Sequence, residues 1–475
     1  MRSRLFIGDA TFGIALAFLA GIFAASMPWN IVFVILLVGM GLGGMFVAQR
    51  KYGRELLMFF CAFILGITYL HFFLYRKTAT IAMPFGKETE LTALVGDEPL
   101  PSEKYLIVSA ETRPPLKGAL KILAPPTADI QYGDVIKLAG VIEKPDTPGD
   151  DPIMFSPKQI TVTARGKGFF LRSWMIDLKR TAIAGFQSSL PADEAAFLGG
   201  IVFGSKAGAS DALKTALSLT GTTHLIAVSG FKVTIVIVTA RELFAGLFSR
   251  RTAFAASIAF LTLFILMVGF EASAIRAAIM GVIALIARET GEGINPRNAV
   301  TFTALAMALI NPTILTGDLS FQISFLAVLG ILYLGPPFKK LFHYTEEGLF
   351  AWKEAGITTL AAQLATMPIL MNAFGQFSPA AIPANVLTLS LLPLTMFSGF
   401  ILACTNAVTP FLAFGPRLIA DLITKYQLAV IRAFAAIALP LPLPLGSAFA
   451  IGLYYLTLIL FIFSYTNDDR DFAKI

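Results

Sequence analysis

The sequence predicts a polytopic α-helical membrane protein with a small extracytoplasmic all-β, OB-like domain. Three observations carry that expectation. The 475 residues are 56% hydrophobic and 14% charged, with a mean hydropathy of +0.74, whereas soluble domains carry about 25% charged residues. Apolar runs of about 20 residues recur, each long enough to cross roughly 30 Å of hydrocarbon. One stretch, from about Met83 to Gly168, interrupts them with charge, Pro, Gly and short alternating runs. The 42 phenylalanines suit lipid-facing helices, and a soluble globular reading of the whole chain is excluded.

The elements follow in order. Residues 1–82 hold three apolar segments, at about Phe6–Met27, Trp29–Ala48 and Leu56–Tyr75. The first has Arg2 and Arg4 ahead of it, as a signal peptide does, but a second span follows at once, so a retained anchor is expected. Arg2, Arg4 and the RKYGR loop at Arg50–Arg54 place the N-terminus in the cytoplasm by the positive-inside rule, and the third span exits outward near Arg76. Residues 83–168 read as the extracytoplasmic domain, with strands at Thr89–Val95, Tyr105–Glu111, Leu120–Leu123, Val135–Ile142 and Gln159–Ala164 separated by Pro- and Gly-containing turns. Five strands in so short a segment suit a small barrel of the OB type. Such a fold binds single strands through basic grooves and stacking aromatics, but the aromatic supply is thin: Tyr105, Tyr132 and Phe155. A purely structural domain stays open beside a binding one.

Residues 169–220 form a transition. Phe169–Leu190 mixes Arg172, Trp174, Asp177, Lys179 and Arg180 with apolar residues, the pattern of a helix lying at the membrane surface. The short pieces Ala195–Phe203 and Ala212–Leu219, joined by the polar Gly204–Asp211, are either re-entrant or flat on the surface. Residues 221–475 bring spans at about Thr222–Leu247, Ala253–Gly269, Ser273–Ala287, Ala299–Ile310, Leu319–Leu334, Ile357–Met371, Ala384–Thr405 and Ala448–Phe463. Phe411–Leu439 reads as partly amphipathic, and the prolines of Leu439–Leu445 break any helix. The expected total is about eleven spans. No internal repeat points to an inverted-repeat transporter.

Charge placement sharpens the picture. Lys87–Lys167 holds 10 basic and 12 acidic residues, so the net +7 resides elsewhere, where 27 basic face 18 acidic residues. That excess follows either from the positive-inside rule or from an electrostatic path for a polyanion. Cys61 and Cys404 lie in apolar runs and build neither a zinc site nor an expected disulfide.

Polar groups kept inside apolar segments mark the functional candidates, because each charge at mid-membrane costs about 3 kcal/mol. Thr222–Val238, TTHLIAVSGFKVTIVIV, carries His224, Ser229, Gly230 and Lys232. On one helix His224 and Lys232 would lie about 80° apart and share a face; interfacial His224 and a snorkelling Lys232 are the plain alternative. GFEASAIRAAIM brings Glu271, Ser273 and Arg276, with Arg276 free to contact a phosphate or to pair with Asp318 or Glu271. DLSFQISFLAVLG sets Ser320 and Ser324 one turn apart, Phe321 and Phe325 likewise, Gln322 on the other side, and Asp318 at an N-cap. Thr359, Gln363 and Thr366 form a polar stripe, Pro368 is placed to kink that helix, and Gln376 and Asn385 follow. Catalytic signatures are missing: His71, His224 and His343 are the three histidines and form no metallo-hydrolase cluster, and there is no Walker motif.

The phrases HLIAVSGFKV, SAIRAAIM, DLSFQISFLAVLGI and AQLATMPIL…FGQFS…AN, in this order and spacing, resemble the ComEC-type competence family of inner-membrane DNA-uptake channels. The β segment containing YGDVIKLAGVI resembles that family's OB-like domain, so the likeness covers nearly the whole chain. Two features depart from it. Lys232 stands where the family often has His, and the chain ends at Ile475, where many members continue into a metallo-β-lactamase-like nuclease domain; a short form is expected. The resemblance implies a multi-pass protein of the inner (cytoplasmic) membrane that passes single-stranded DNA inward. It implies no enzymatic activity, catalytic residue, metal or cofactor in this chain. A separate nuclease, a DNA receptor and a cytoplasmic translocase are the implied partners, beside the lipid bilayer. The oligomeric state has no signal in the sequence. The candidates for the DNA path are His224, Ser229, Gly230, Lys232, Arg276, Ser320, Gln322, Ser324 and Gln363. Glu271, Ser273, Asp318, Gln376 and Asn385 are the expected structural polar residues. A transporter of another polar or anionic solute, or a non-transporting assembly scaffold, are the alternatives.

Overall fold

The computed structural model describes residues 2–27, 53–81, 83–102, 104–114, 116–145, 149–205, 207–226, 229–291, 293, 295–343, 352–374, 378–408, 413–438 and 448–466. The chain divides into two compact units: Met1–Ile176 with Thr301–Asp318, and Asp177–Val300 with Leu319–Ile475. The expected span at Trp29–Ala48, the proline cluster at Leu439–Leu445 and Gln376 lie outside the described residues.

In the first unit, α1 (Arg2–Ser26) packs on α2 (Gly53–Thr80). Phe18 meets Tyr69 with ring centroids 5.8 Å apart, and Tyr69 Oη donates to Leu309 O at 2.6 Å. The β-domain follows α2 directly. Its strands are β1 (Glu88–Val95), β2 (Leu100–Pro101), β3 (Leu106–Thr112), β4 (Ala119–Ala124), β5 (Val135–Glu143), β6 (Ile153–Phe155) and β7 (Gln159–Ala164). All five expected strands are present within a residue or two of their expected bounds. Two further ones, β2 and β6, are too short to show alternation and were not expected.

The sheet closes on itself. β1 pairs with β3, β3 with β4, β4 with β6, β6 with β5, and β5 returns to β1. β4–β6 is parallel and the other pairings are antiparallel. Closure removes the exposed edge that an open sheet would present. Alternation then sends every second side chain inward, so Leu91, Ala93, Val108, Leu120, Ile122, Ile136, Leu138, Ile142 and Met154 form one buried core. Lys77, in the last turn of α2, clasps the barrel through Gly149 O at 2.5 Å and Asp151 at 2.9 Å.

The helix α3 (Phe170–Ser189) follows the barrel, as expected; Phe170 and Trp174 are exposed on it, and so is Phe169 just before it. Arg172 anchors the start of α3 to the barrel: its guanidinium donates to Gly96 O at 2.8 Å, ion-pairs with Asp97 and stacks 4.6 Å over the Tyr132 ring.

The described regular elements of the second unit are all helices. α4 (Ala192–Phe203) ends at Gly204, and α5 (Asp211–Leu219) starts at Ser210, whose hydroxyl accepts from Leu213 N. A 3₁₀ turn, Thr223–Leu225, precedes α6 (Gly230–Leu247), which packs with α7 (Arg250–Val268) and α8 (Ala272–Thr290). α9 (Pro296–Ile310) begins in this unit; its part from Thr301 and α10 (Ile314–Gly317) belong to the first, and the second resumes with α11 (Leu319–Leu341) and α12 (Trp352–Phe374). The series ends with α13 (Ala381–Leu389), α14 (Leu392–Val408), α15 (Phe414–Ala436) and α16 (Ala448–Thr466).

Three helices differ from expectation. α11 continues past Leu334 through Pro336 and Pro337 to Leu341, because Leu334 and Phe338 remain buried against Ile357, Ala361 and Ala365 of α12. Ala384–Thr405 is not one helix: α13 and α14 meet at a 50° bend. Gln427 of α15 holds that bend. Its Nε2 donates to Thr388 O at 3.0 Å on one side, and its Oε1 accepts from Thr395 Oγ1 at 3.1 Å on the other. The third is the expected span at Thr222–Leu247, which extended backbone at Ser229 interrupts (φ −111°, ψ 155°).

α12 runs through Pro368, which has no N–H for Leu364 O. Tyr454 Oη of α16 donates to that carbonyl at 2.8 Å. Among the described residues, four stretches are long and apolar enough to cross a membrane: Glu55–Ala79, Thr223–Leu247, Arg250–Val268 and Leu319–Leu341. The bent pair α13–α14 would make a fifth.

Candidate functional site

The interruption at Ser229 creates the site. A helix that starts inside an apolar stretch leaves its first N–H groups without intrahelical acceptors, and those groups carry the positive end of the helix dipole. Ser229 O accepts from Lys232 N at 3.1 Å and Val233 N at 3.3 Å, which closes the first turn of α6. No acidic side chain stands in that turn.

His224 and Lys232 do not share one helical face, because the chain between them is not one helix. His224 sits in the 3₁₀ turn, with Nδ1 3.0 Å from Gly221 O. Lys232 is 1% exposed, and its Nζ donates to Gly200 O of α4 at 2.9 Å and to Ile226 O at 3.4 Å. Snorkelling to the interface is therefore not what this lysine does. Glu271 is the residue before α8.

Arg276 of α8 lies against the start of α6. Its Nη2 would stand 2.5 Å from a Cβ built on Gly230, so any other residue at 230 would push the guanidinium away. On its other side the guanidinium carbon is 5.7 Å from the centroid of Phe325 of α11. Phe325 in turn stacks on Phe321 at 4.2 Å. Arg276 is 7% exposed, and its buried Nε has no hydrogen-bond partner. Of the alternatives open for Arg276, pairing with a carboxylate is not the one seen: among the described residues none lies within ion-pair distance of it.

The remaining candidates are dispersed. Ser273 is buried one turn before Arg276 on α8. Ser320 is exposed, and Gln322 and Ser324 are half-buried on α11. Asp318 has extended backbone directly before α11, the position expected of an N-cap. Gln363 of α12 and Asn385 of α13 each bury a side-chain oxygen without a hydrogen-bond partner. No hydrogen bond joins Ser320, Ser324 or Gln363 to Arg276 among the described residues. The structure thus gathers Gly230, Lys232 and Arg276 around the start of α6, and leaves the serines and glutamines apart.

Sequence reasoning missed four residues, three near this site and one at the bend between α13 and α14. Phe321 and Phe325 were legible as an i, i+4 pair, but nothing local assigned them to an arginine on another helix. Gly200 was one glycine of an apolar run, with no signal that its carbonyl faces a lysine. Gln427 was hidden in an amphipathic helix.

Chemically, a buried guanidinium beside a helix N-terminus is suited to an anion. The guanidinium supplies planar donors and the helix supplies backbone N–H groups. Among the described residues no cluster of three or more His, Cys, Asp or Glu is placed to hold a metal.

Comparison with known proteins bears on this site. Residues 201–467, which include Gly230, Lys232 and Arg276, match the family model described as Competence protein. Over 221 residues, 45% of the chain, the sequence is 28% identical to ComE operon protein 3 of Bacillus subtilis (strain 168). The match covers 26% of that relative, so the chain spans about a quarter of the length of the curated relative it matches. No solved structure matches the chain.

Proposed function

This chain belongs to the Competence protein family, of the ComEC type, and on that premise we propose that it is an inner-membrane channel passing single-stranded DNA into the cytoplasm during natural transformation. The observation that carries the reading is Arg276: a cation kept in an apolar environment, against a helix N-terminus, with no carboxylate partner among the described residues. A DNA strand presents one phosphate per nucleotide, so its path must attract anions locally. It must also release them, because conduction requires weak binding repeated at several sites. One guanidinium at a broken span, with no carboxylate partner among the described residues and with Phe325 and Gly230 beside it, supports both needs.

The rest of the reading follows from the same premise. The chain acts without an enzymatic activity of its own, and a separate nuclease, receptor and translocase complete the route. The N-terminus is cytoplasmic, the barrel is extracytoplasmic, and about eleven spans cross the membrane. Taken in sequence order, the five barrel-closing strands run 1-2-3-5-4 and back to 1, which supports an OB-type Greek-key barrel. Deleting the gene and following labelled DNA tests the function. Transformation is expected to fall to background while DNA still reaches the cell surface; unchanged delivery of label to the cytoplasm would refute a channel role.

A further inference from the structure

We propose that Lys232 is a positioning residue: it holds open the interruption before α6, so that Arg276 and not Lys232 meets the passing phosphate. This rests on the channel reading above. In an uninterrupted helix the Ile226 carbonyl would accept from the Gly230 N–H four residues on. Extended backbone at Ser229 removes that bond, and the ammonium of Lys232 takes its place at 3.4 Å.

The same ammonium donates to Gly200 O at 2.9 Å. That carbonyl already accepts the Gly204 N–H at the end of α4, also at 2.9 Å. A single side chain therefore ties three pieces together: the end of α4, the residue before the interruption and the first turn of α6. Gly200 is required for this arrangement. A Cβ there would stand 2.6 Å from Ile226 Cγ2, so a methyl group would drive Ile226 away from the lysine.

Lys232 and Arg276 thus occupy opposite states within one site. Lys232 has two of its three protons committed to carbonyls and is 1% exposed. Releasing them to follow a phosphate would leave two carbonyls without a donor in an apolar interior, a cost repeated at every nucleotide. Arg276 has no such commitment among the described residues: its Nε is unpartnered, and its guanidinium lies beside the Phe325 ring and Gly230. The uncommitted cation can grip and release. The committed one sets where the first N–H groups of α6 point.

Salt dependence separates the two roles, because each phosphate contact to a single strand contributes about 0.7 to the slope of log affinity against log salt. The full chain in lipid nanodiscs is titrated with a fluorescent single-stranded oligothymidylate across a salt series. Arg276→Gln is expected to lower the slope by about 0.7. Lys232→Met and Gly200→Ala are expected to weaken binding about tenfold at an unchanged slope, the size of a lost buried hydrogen bond. Lys232→Arg, which keeps the charge but presents a planar fork that does not fit two carbonyls, is expected to behave like Lys232→Met.

Three results would overturn the assignment: a slope lowered equally by Lys232→Met, wild-type affinity in Gly200→Ala, or full affinity in Lys232→Arg. Should Lys232→Met fail to reach the membrane, Gly200→Ala and Lys232→Arg decide between the roles. Failure of the unaltered chain to bind the oligonucleotide would overturn the channel reading, and this assignment with it.

Discussion

In the barrel, Lys137 meets Glu90 at 2.8 Å, Lys158 meets Glu88 at 2.9 Å and Arg165 meets Asp129 at 2.7 Å, every one of these side chains more than half exposed. At the start of α6, Arg276 is 7% exposed and has no carboxylate partner among the described residues. The two regions draw on the same residue types for different work. A cation matched by a carboxylate in water contributes little to stability and offers a polyanion little net attraction. A cation buried among apolar side chains keeps more of its field, because buried charges are screened less than exposed ones. The barrel is held by its closed sheet and inward-facing core, while the helical site is organised by polar groups placed where helices break.

The largest effect that would test this contrast is on transport. Arg276→Gln is expected to lower DNA uptake at least about tenfold, the weight of one lost charge-assisted contact, with normal amounts of protein in the membrane. The paired substitution Lys137→Gln/Lys158→Gln in the barrel is expected to leave uptake unchanged. Equal losses in both variants would break the comparison.

A smaller effect concerns the bend between α13 and α14. Gln427→Leu removes the amide that serves Thr388 O and Thr395 Oγ1, leaving both buried without it. A destabilisation of about 1–3 kcal/mol is expected, read as a lower thermal midpoint of the full chain in nanodiscs. An unshifted midpoint would show that buried polar bridges are not what orders these breaks.

The smallest effect lies in the barrel surface. The hydrogen bond and charge of Lys137 hold the Glu90 carboxyl below its ordinary value of 4.5. A carboxyl lowered on folding stabilises the fold above its ordinary value and loses that contribution as pH falls through and below it. Glu90→Gln is therefore expected to leave neutral-pH melting within experimental scatter and to flatten slightly the decline below pH 4.5. A clear loss at neutral pH would mean that the barrel depends on its surface pairs after all.

Much of this architecture was legible in the chain. The strands β1, β3, β4, β5 and β7 announced themselves by alternation and by the turns between them. β6, with three residues, could not, although it alone joins β4 to β5. The start of α3 and the gap between α4 and α5 followed from polar residues in an apolar setting. By contrast, TTHLIAVSGFKV read as one helix, since its hydropathy is continuous across Ser229. The bend between α13 and α14 was invisible for the same reason, and its stabilising partner, Gln427, lies 32 residues from Thr395.

By itself, then, the sequence determined the membrane class, the position of the β-domain, and which residues carry charge into apolar segments. These are properties of composition and local period, and they survive without knowledge of any distant contact. The tertiary structure alone decided what each charge does. Lys232 and Arg276 look alike in sequence, each a lone cation in an apolar run. Two backbone carbonyls occupy the first, whereas an aromatic face and a missing side chain leave the second open. The partners responsible stand on other helices, Gly200 32 residues from Lys232 and Phe325 on α11 facing Arg276 on α8. Electrostatic behaviour in a low-dielectric interior is set by such distances, which no local pattern encodes.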